Sequence, residues 1–319
     1  MPKLKTKKET HSSKIAIIGA GFVGSTAAYA CLIDGAASEI ALIDINKEKA
    51  EGEAMDLQHG IPFRPNSRIE FGSDYKLCKD SDIIVISAGA HQKPGESRLD
   101  LVNKNATIFR QMIPSITKYN KNCILLVVSN PLDVLTYLAL KYSKFPKSRV
   151  FGTGTILDTA RFRFLLGEYF GVSTSSVHAY ILGEHGDSSF PVWSTANIAG
   201  VPLKYFKKYN RKKMDEIYSK TKKAAYEIIA RKGATYYAIG LGVAKIVRSI
   251  LSDQNEVLAV SSYLENYNGI SGICLSVPAI VNRNGIKEHI VLPLNSLEKK
   301  QMQKSANVIK GIIRGCVNC

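Results

Sequence analysis

Two rhythms of apolar and polar positions divide the chain near residue 152. In the first part, the runs IAIIG (15–19), IIVIS (83–87) and ILLVV (124–128) are apolar at nearly every position. Runs without alternation belong to strands buried on both faces, as in a parallel sheet covered by helices. Strands are predicted at Lys14–Gly19, Glu39–Asp44, Arg68–Gly72, Asp82–Ala88, Cys123–Ser129 and Arg149–Gly152, several of them of this kind. Between them, apolar positions recur at helical spacing over Val23–Leu32, Lys47–Gln58, Leu101–Tyr119 and Leu132–Tyr142. This alternation predicts a doubly wound α/β domain over residues 14–152.

Beyond it the pattern changes. A helix is predicted over Leu157–Phe170, and an apolar, strand-like stretch from Val177 to Leu182 runs into Gly183-Glu184-His185-Gly186-Asp187. Helical periodicity fills Arg211 to Leu251, with Gly233 and Gly242 as candidate breaks. Antiparallel strands are predicted at Val257–Leu264, Gly272–Asn282 and Glu288–Leu294, with turns at Tyr267-Asn268-Gly269 and Asn282-Arg283-Asn284-Gly285. Ser296–Arg314 reads as a final amphipathic helix with Ser296 as its N-cap. Residues 153–319 thus read as an α+β domain, and residues 1–13 as a basic tail.

Composition narrows the function classes. The 319 residues are 45% hydrophobic and 22% charged, which suits a globular protein with a large core. No apolar run approaches the ~20 residues of a membrane span. The tail MPKLKTKKETHSSK has no apolar segment and no arginine, so it reads as neither a secretory signal nor a transit peptide. The expected location is cytoplasmic. Cys31, Cys78, Cys123 and Cys274 stand singly and read as buried free thiols. Cys316 and Cys319 form a C-x-x-C without two further ligands of matching spacing, so the pair reads as incidental and no metal is expected. The net charge is +16, with lysines clustered at 3–8, at 204–223 and near the C-terminus. These clusters lack the regularly interleaved aromatic residues and motifs of nucleic-acid binders, so they read as solvated helix faces. A positive field would draw small anionic metabolites. A non-catalytic polyanion-binding role is the remote alternative.

The first helix opens on Gly19-x-Gly21-x-x-Gly24, directly after a buried strand. In that setting Gly19 permits a tight turn, Gly21 lets the backbone approach a pyrophosphate, and Gly24 lets the helix pack on the strand. The helix N-terminus offers unpaired N–H groups to phosphate. Twenty positions after Gly24, Asp44 ends the second predicted strand. An acid there accepts hydrogen bonds from ribose hydroxyls and repels a 2′-phosphate, so the expected cofactor is NAD and the domain a Rossmann domain. Packing alone is the competing explanation of the glycines.

Hydride transfer to a carbonyl needs a proton donor, and His185 at a strand end is the candidate. A lone histidine is otherwise an ordinary surface or core residue. Asp158 and Arg161 lie at i and i+3 on the predicted helix and share a face, whereas Arg163 points about 200° away from Arg161. The first two form either an exposed ion pair of little worth or a partner for His185 and a fork for a substrate carboxylate. The segment from His91 to Arg98, with Pro94 and Gly95, follows a buried strand and suits a lid.

Together, IGAGFVGS, LID, AGAHQKPGESRLDL, SNPLDVLT, GTGTILDTARFRFLLGEYFGV, ILGEHGDSSFPVWS, KGATYYAIG and VPAIVNRNGI resemble the L-lactate/malate dehydrogenase family, and within it the bacterial lactate branch. The resemblance covers the chain after its first dozen residues. It implies reversible reduction of pyruvate to L-lactate by NADH, with His185 as acid/base, Asp158 as its partner, Arg98 polarising the reacting carbonyl and Arg161 clamping the substrate carboxylate. It places Asn130 at the substrate and the nicotinamide, Thr235 at the substrate pocket and Ile239 at the nicotinamide. It further implies a homotetramer in which Arg163 and His178 hold a phosphate of the activator fructose 1,6-bisphosphate. A malate or other 2-hydroxyacid dehydrogenase is the alternative. The family's malate enzymes carry arginine at the lid position of Gln92, and a neutral Gln92 would leave oxaloacetate's second carboxylate desolvated and unpaired. Gln92→Arg should therefore move the ratio of kcat/KM values from pyruvate toward oxaloacetate in an NADH-oxidation assay; an unchanged ratio would show that position 92 does not face the substrate.

Overall fold

The computed structural model describes residues 12–63, 67–90 and 98–316, with the side chain of Arg98 excepted. The tail up to residue 11, the lid with Gln92, and Cys319 therefore lie outside the described residues. In the first part β1 (Lys14–Ile18), α1 (Phe22–Asp34), β2 (Glu39–Ile43), α2 (Lys47–His59), β3 (Arg68–Gly72), β4 (Ile83–Ile86), α3 (Arg98–Tyr119), β5 (Ile124–Val127), α4 (Leu132–Ser143) and β6 (Val150–Gly152) alternate. The second part contains α5 (Ile156–Phe170), the short strands β7 (Val177–His178), β8 (Ile181–Leu182), β9 (Phe190–Pro191), β10 (Asn197–Ile198) and β11 (Val201–Pro202), then α6 (Arg211–Lys232) and α7 (Tyr237–Leu251). It ends with β12 (Glu256–Tyr263), β13 (Cys274–Asn282), β14 (Gly285–His289) and α8 (Ser296–Gly315).

The sheet order 3-2-1-4-5-6 of the first six strands is parallel throughout. Neighbouring residues of the inner strands β1, β2, β4, β5 and β6 enter different cores, whereas the edge strand β3 alternates polar Arg68 and Glu70 with Ile69 and Phe71. Ala16 and Ile18 pack in one cluster with Val127, whereas Ile15 and Ile17 pack in another with Leu126. Both faces of the inner strands are dry, which is why those strands carry no polar alternation. The strand order reverses between β1 and β4, and the crevice beyond their C-terminal ends is where such sheets take ligands.

The second part differs in several places from what its local pattern predicts. Its long strands build no sheet of their own. β12 pairs antiparallel with β6 through Ser261↔Gly152 and Ser262↔Phe151, so β12, β13 and β14 extend the first sheet to nine strands. The stretch Val177–Leu182 is two strands rather than one, since β7 pairs with β10 and β8 with β9. β14 lies earlier than expected because the hairpin loop is only Arg283-Asn284, with Asn282 paired to Gly285. Gly285 has φ +92°, and a Cβ there would lie 2.0 Å from the Ser148 carbonyl oxygen. Gly233 ends α6 with φ +82°, but Gly242 lies inside α7. The N-cap of α8 is Asn295 rather than Ser296, in a reciprocal capping box with Glu298. The four singly placed cysteines are free and buried, whereas Cys316 is in a disulfide, a role its sequence context did not suggest. No helix among the described residues is long and apolar enough to cross a membrane. Among them, no cluster of three or more His, Cys, Asp and Glu side chains could hold a metal ion.

Candidate active site

Dinucleotide geometry begins at the loop after β1. Gly19 has φ +103°, and a Cβ there would meet the Ala88 nitrogen at 2.7 Å. A Cβ on Gly24 would lie 1.7 Å from the Gly19 carbonyl oxygen, so α1 packs against the loop with no room for a side chain. Gly21 differs. Its Cβ would meet nothing closer than Lys49 Nζ at 4.0 Å, so open space lies beside the helix N-terminus. No side chain caps that terminus, which leaves N–H groups of its first turn for an anion. The Asp44 carboxylate accepts the Ala20 N–H at 2.7 Å and the Asn46 N–H at 2.9 Å. It fastens the loop to the end of β2 and retains lone pairs for ribose hydroxyls. These features fit a pyrophosphate and an unphosphorylated ribose.

His185 stands at the meeting of four elements. Its Nδ1 lies 2.8 Å from Asp158 Oδ2 on α5. Its backbone N–H donates to Asp133 Oδ2 on α4 at 2.7 Å. One residue earlier, the Glu184 N–H donates to Ser305 Oγ on α8 at 2.6 Å. Gly183 exchanges backbone hydrogen bonds with Ser276 on β13, at 3.1 and 3.0 Å. Gly183 itself has φ +95°, and a Cβ on it would lie 2.5 Å from Ser305 Oγ. The ring is 27% exposed, and with Nδ1 engaged, Nε2 is the nitrogen left to meet a ligand.

Asp158 also meets Arg161 at 3.3 Å. That is long for a charge-assisted hydrogen bond, so most of the guanidinium fork is left for another anion. Burial disfavours the imidazolium of His185, but the Asp158 carboxylate, seconded by Asp133, outweighs it and holds the pKa above its ordinary value. Burial also opposes the Asp158 charge, but His185 and then Arg161 hold its carboxyl below the usual range. Asp133 behaves differently. Burial pushes its carboxyl up to about 6, against hydrogen bonds from Ser261 and the His185 N–H.

Asp133 is a site residue that local sequence pattern does not mark. Its one signal was a carboxylate inside the apolar run PLDVLTYL, at the first turn of a helix. The residue is 1% exposed, and its other oxygen accepts the Ser261 hydroxyl at 2.6 Å. Asn130 is exposed just past β5. Thr235 lies in the 233–236 link, where its neighbour Tyr236 stacks on Phe22 at 5.2 Å, at the start of α1. Ile239 lies in the first turn of α7, which packs along α1 so closely that a Cβ on Gly240 would meet Thr26 Cγ2 at 2.7 Å. Arg163 lies away from this group. Its Nε donates to the Ala179 carbonyl at 2.9 Å, beside exposed His178, and its guanidinium covers the Tyr180 ring at 4.9 Å. Arg98 begins α3.

Comparison with known proteins gives these features relatives. Residues 13–152 match the family model of the lactate/malate dehydrogenase NAD-binding domain, and residues 155–318 that of its α/β C-terminal domain. The chain is 52% identical over 309 residues to an L-lactate dehydrogenase of Acetivibrio thermocellus, covering 94% of this chain and 96% of the relative. It is 51% identical over 304 residues to L-lactate dehydrogenase 1 of Clostridium acetobutylicum, covering 94% and 97%. Among solved structures, a minor L-lactate dehydrogenase of Enterococcus mundtii aligns with TM-score 0.93 and 43% identity, over 96% of this chain and 98% of that one.

Asp158→Asn should lower the pKa of the His185 ring in the free protein. Without the carboxylate, burial and the Arg161 charge act against the imidazolium with only Asp133 left to favour it, and protonation requires lower pH. An NMR titration of the ring reads this directly, and an unmoved midpoint would mean that Asp158 does not govern it.

Proposed function

We propose that this chain, which belongs to the lactate/malate dehydrogenase family and is an NAD-dependent oxidoreductase, reduces pyruvate to L-lactate with His185 as the acid/base. The observation that carries this reading is the His185–Asp158 contact, with Arg161 on the same carboxylate. Bound NADH supplies the hydride. His185, protonated because Asp158 favours its charged form, gives its Nε2 proton to the carbonyl oxygen. Asp158 keeps the Nδ1 proton in place and stabilises the imidazolium between turnovers. Arg161 presents its fork to the substrate carboxylate. Arg98 polarises the carbonyl and Gln92 meets the methyl end of the substrate. Asn130 and Thr235 line the reacting centre, and Ile239 packs against the nicotinamide. In the reverse direction neutral His185 accepts the hydroxyl proton, so lactate oxidation is favoured as pH rises through the His185 pKa and pyruvate reduction as it falls.

The reading extends to a cytoplasmic homotetramer activated by fructose 1,6-bisphosphate, with Arg163 and His178 as phosphate ligands. It is supported by Arg163 lying one residue from His178 through its bond to the Ala179 carbonyl.

His185→Asn should reduce turnover roughly a hundred- to ten-thousand-fold while NADH binding, followed by fluorescence, is retained; wild-type turnover would remove His185 from the chemistry. Fructose 1,6-bisphosphate should shift the pyruvate saturation curve to lower concentration. Arg163→Ala should abolish the shift, and curves that superimpose with and without the sugar bisphosphate would dispose of the effector site.

A further inference from the structure

Asn105 lies on α3 and is fully buried beside Val102, Ala106 and Phe109. A carboxamide in apolar surroundings is costly unless its hydrogen-bonding capacity is used. Here it is spent on backbone from two other segments. Oδ1 accepts the Ala90 N–H at 2.7 Å. Nδ2 donates to the Asn130 carbonyl at 2.7 Å and to the Ala90 carbonyl at 3.3 Å. Ala90 lies beyond β4 and Asn130 beyond β5.

Those strands pair as far as Ile86↔Val127, and the N–H groups of Val128 and Ser129 still reach the Ile86 carbonyl. Ser129 Oγ then donates to the Ala88 carbonyl at 2.6 Å. Further out, where the crevice opens, the Asn105 amide joins the two segments. The chain after β4 closes onto it, since a Cβ on Gly89 would lie 3.2 Å from Oδ1.

We propose that Asn105 is a positioning residue for the reaction. By holding the Asn130 carbonyl, it sets the direction in which the exposed Asn130 side chain leaves the sheet. The inference rests on the proposed contact of Asn130 with substrate and nicotinamide. Both a donor and an acceptor on a short side chain are required. Aspartate keeps the acceptor but lacks the donors, and leucine lacks both.

The test is a double-mutant cycle between positions 105 and 130, read as kcat and KM for pyruvate, with NADH binding and thermal midpoint measured on the same samples. Asn105→Asp keeps the side-chain size and one hydrogen bond, and Asn105→Ser repeats the cycle with a smaller neutral group should the first variant fold poorly. We expect Asn105→Asp to lower kcat/KM about tenfold or more, as a misplaced positioning group does. Asn130→Ala should also lower it, and the double variant should be no worse than Asn130→Ala alone. A reduced thermal midpoint with wild-type kcat/KM would make Asn105 merely structural and overturn the inference. Losses that multiply in the double variant would overturn it while leaving the reading of Asn130 intact. Wild-type kcat/KM in Asn130→Ala would bring down that reading, and the inference with it.

Discussion

A histidine and an aspartate held 2.8 Å apart and largely out of water set the terms for the rest of this molecule. Removing either charge from solvent alone is expensive, and their mutual attraction offsets that cost only while the geometry holds. The protein therefore fastens the His185 turn from every side. Asp133 holds its amide, Ser276 the Gly183 backbone, and Ser305 the Glu184 amide. Three of these anchors lie on α4, β13 and α8, and Asp158 itself lies on α5. The turn can have one position only if those four elements are correctly packed.

The nine-stranded sheet makes this possible. Because β12 pairs with β6, the second half of the chain is bonded to the edge of the first. Ser261 on β12 thereby reaches Asp133 on α4, and Asp133 reaches His185. Burial pushes the Asp133 carboxyl up to about 6, and its two hydrogen bonds come from the His185 backbone N–H and the Ser261 hydroxyl. When ionised, it favours the imidazolium as a second negative charge without competing with Asp158 for Nδ1.

The dinucleotide loop solves a different problem. Gly19 and Gly24 exist because backbone must approach backbone, whereas Gly21 leaves space that a ligand can use. Asp44 ties this loop to β2, and stacking of Tyr236 on Phe22 brings the α6–α7 link beside it. Around this arrangement a net charge of +16 favours the approach of anionic ligands.

Local pattern alone determined a good deal. The inner parallel strands and their helices were legible because burial on both faces forces continuous apolar runs, and the glycine spacing was legible because a tight turn followed by a helix excludes side chains at fixed positions. Asp158 and Arg161 on one face followed from helical periodicity. Other features were decided only by tertiary structure. Pairing of β12 with β6 joins residues more than a hundred positions apart, and no local pattern encodes which sheet edge a strand will choose. The split of Val177–Leu182 into two strands depended on partners elsewhere in the chain. Asp133 and Asn105 looked like unremarked polar positions within helices. Their meaning lies in backbone groups supplied by distant segments, and a buried donor or acceptor finds its partner only when the fold has closed around it.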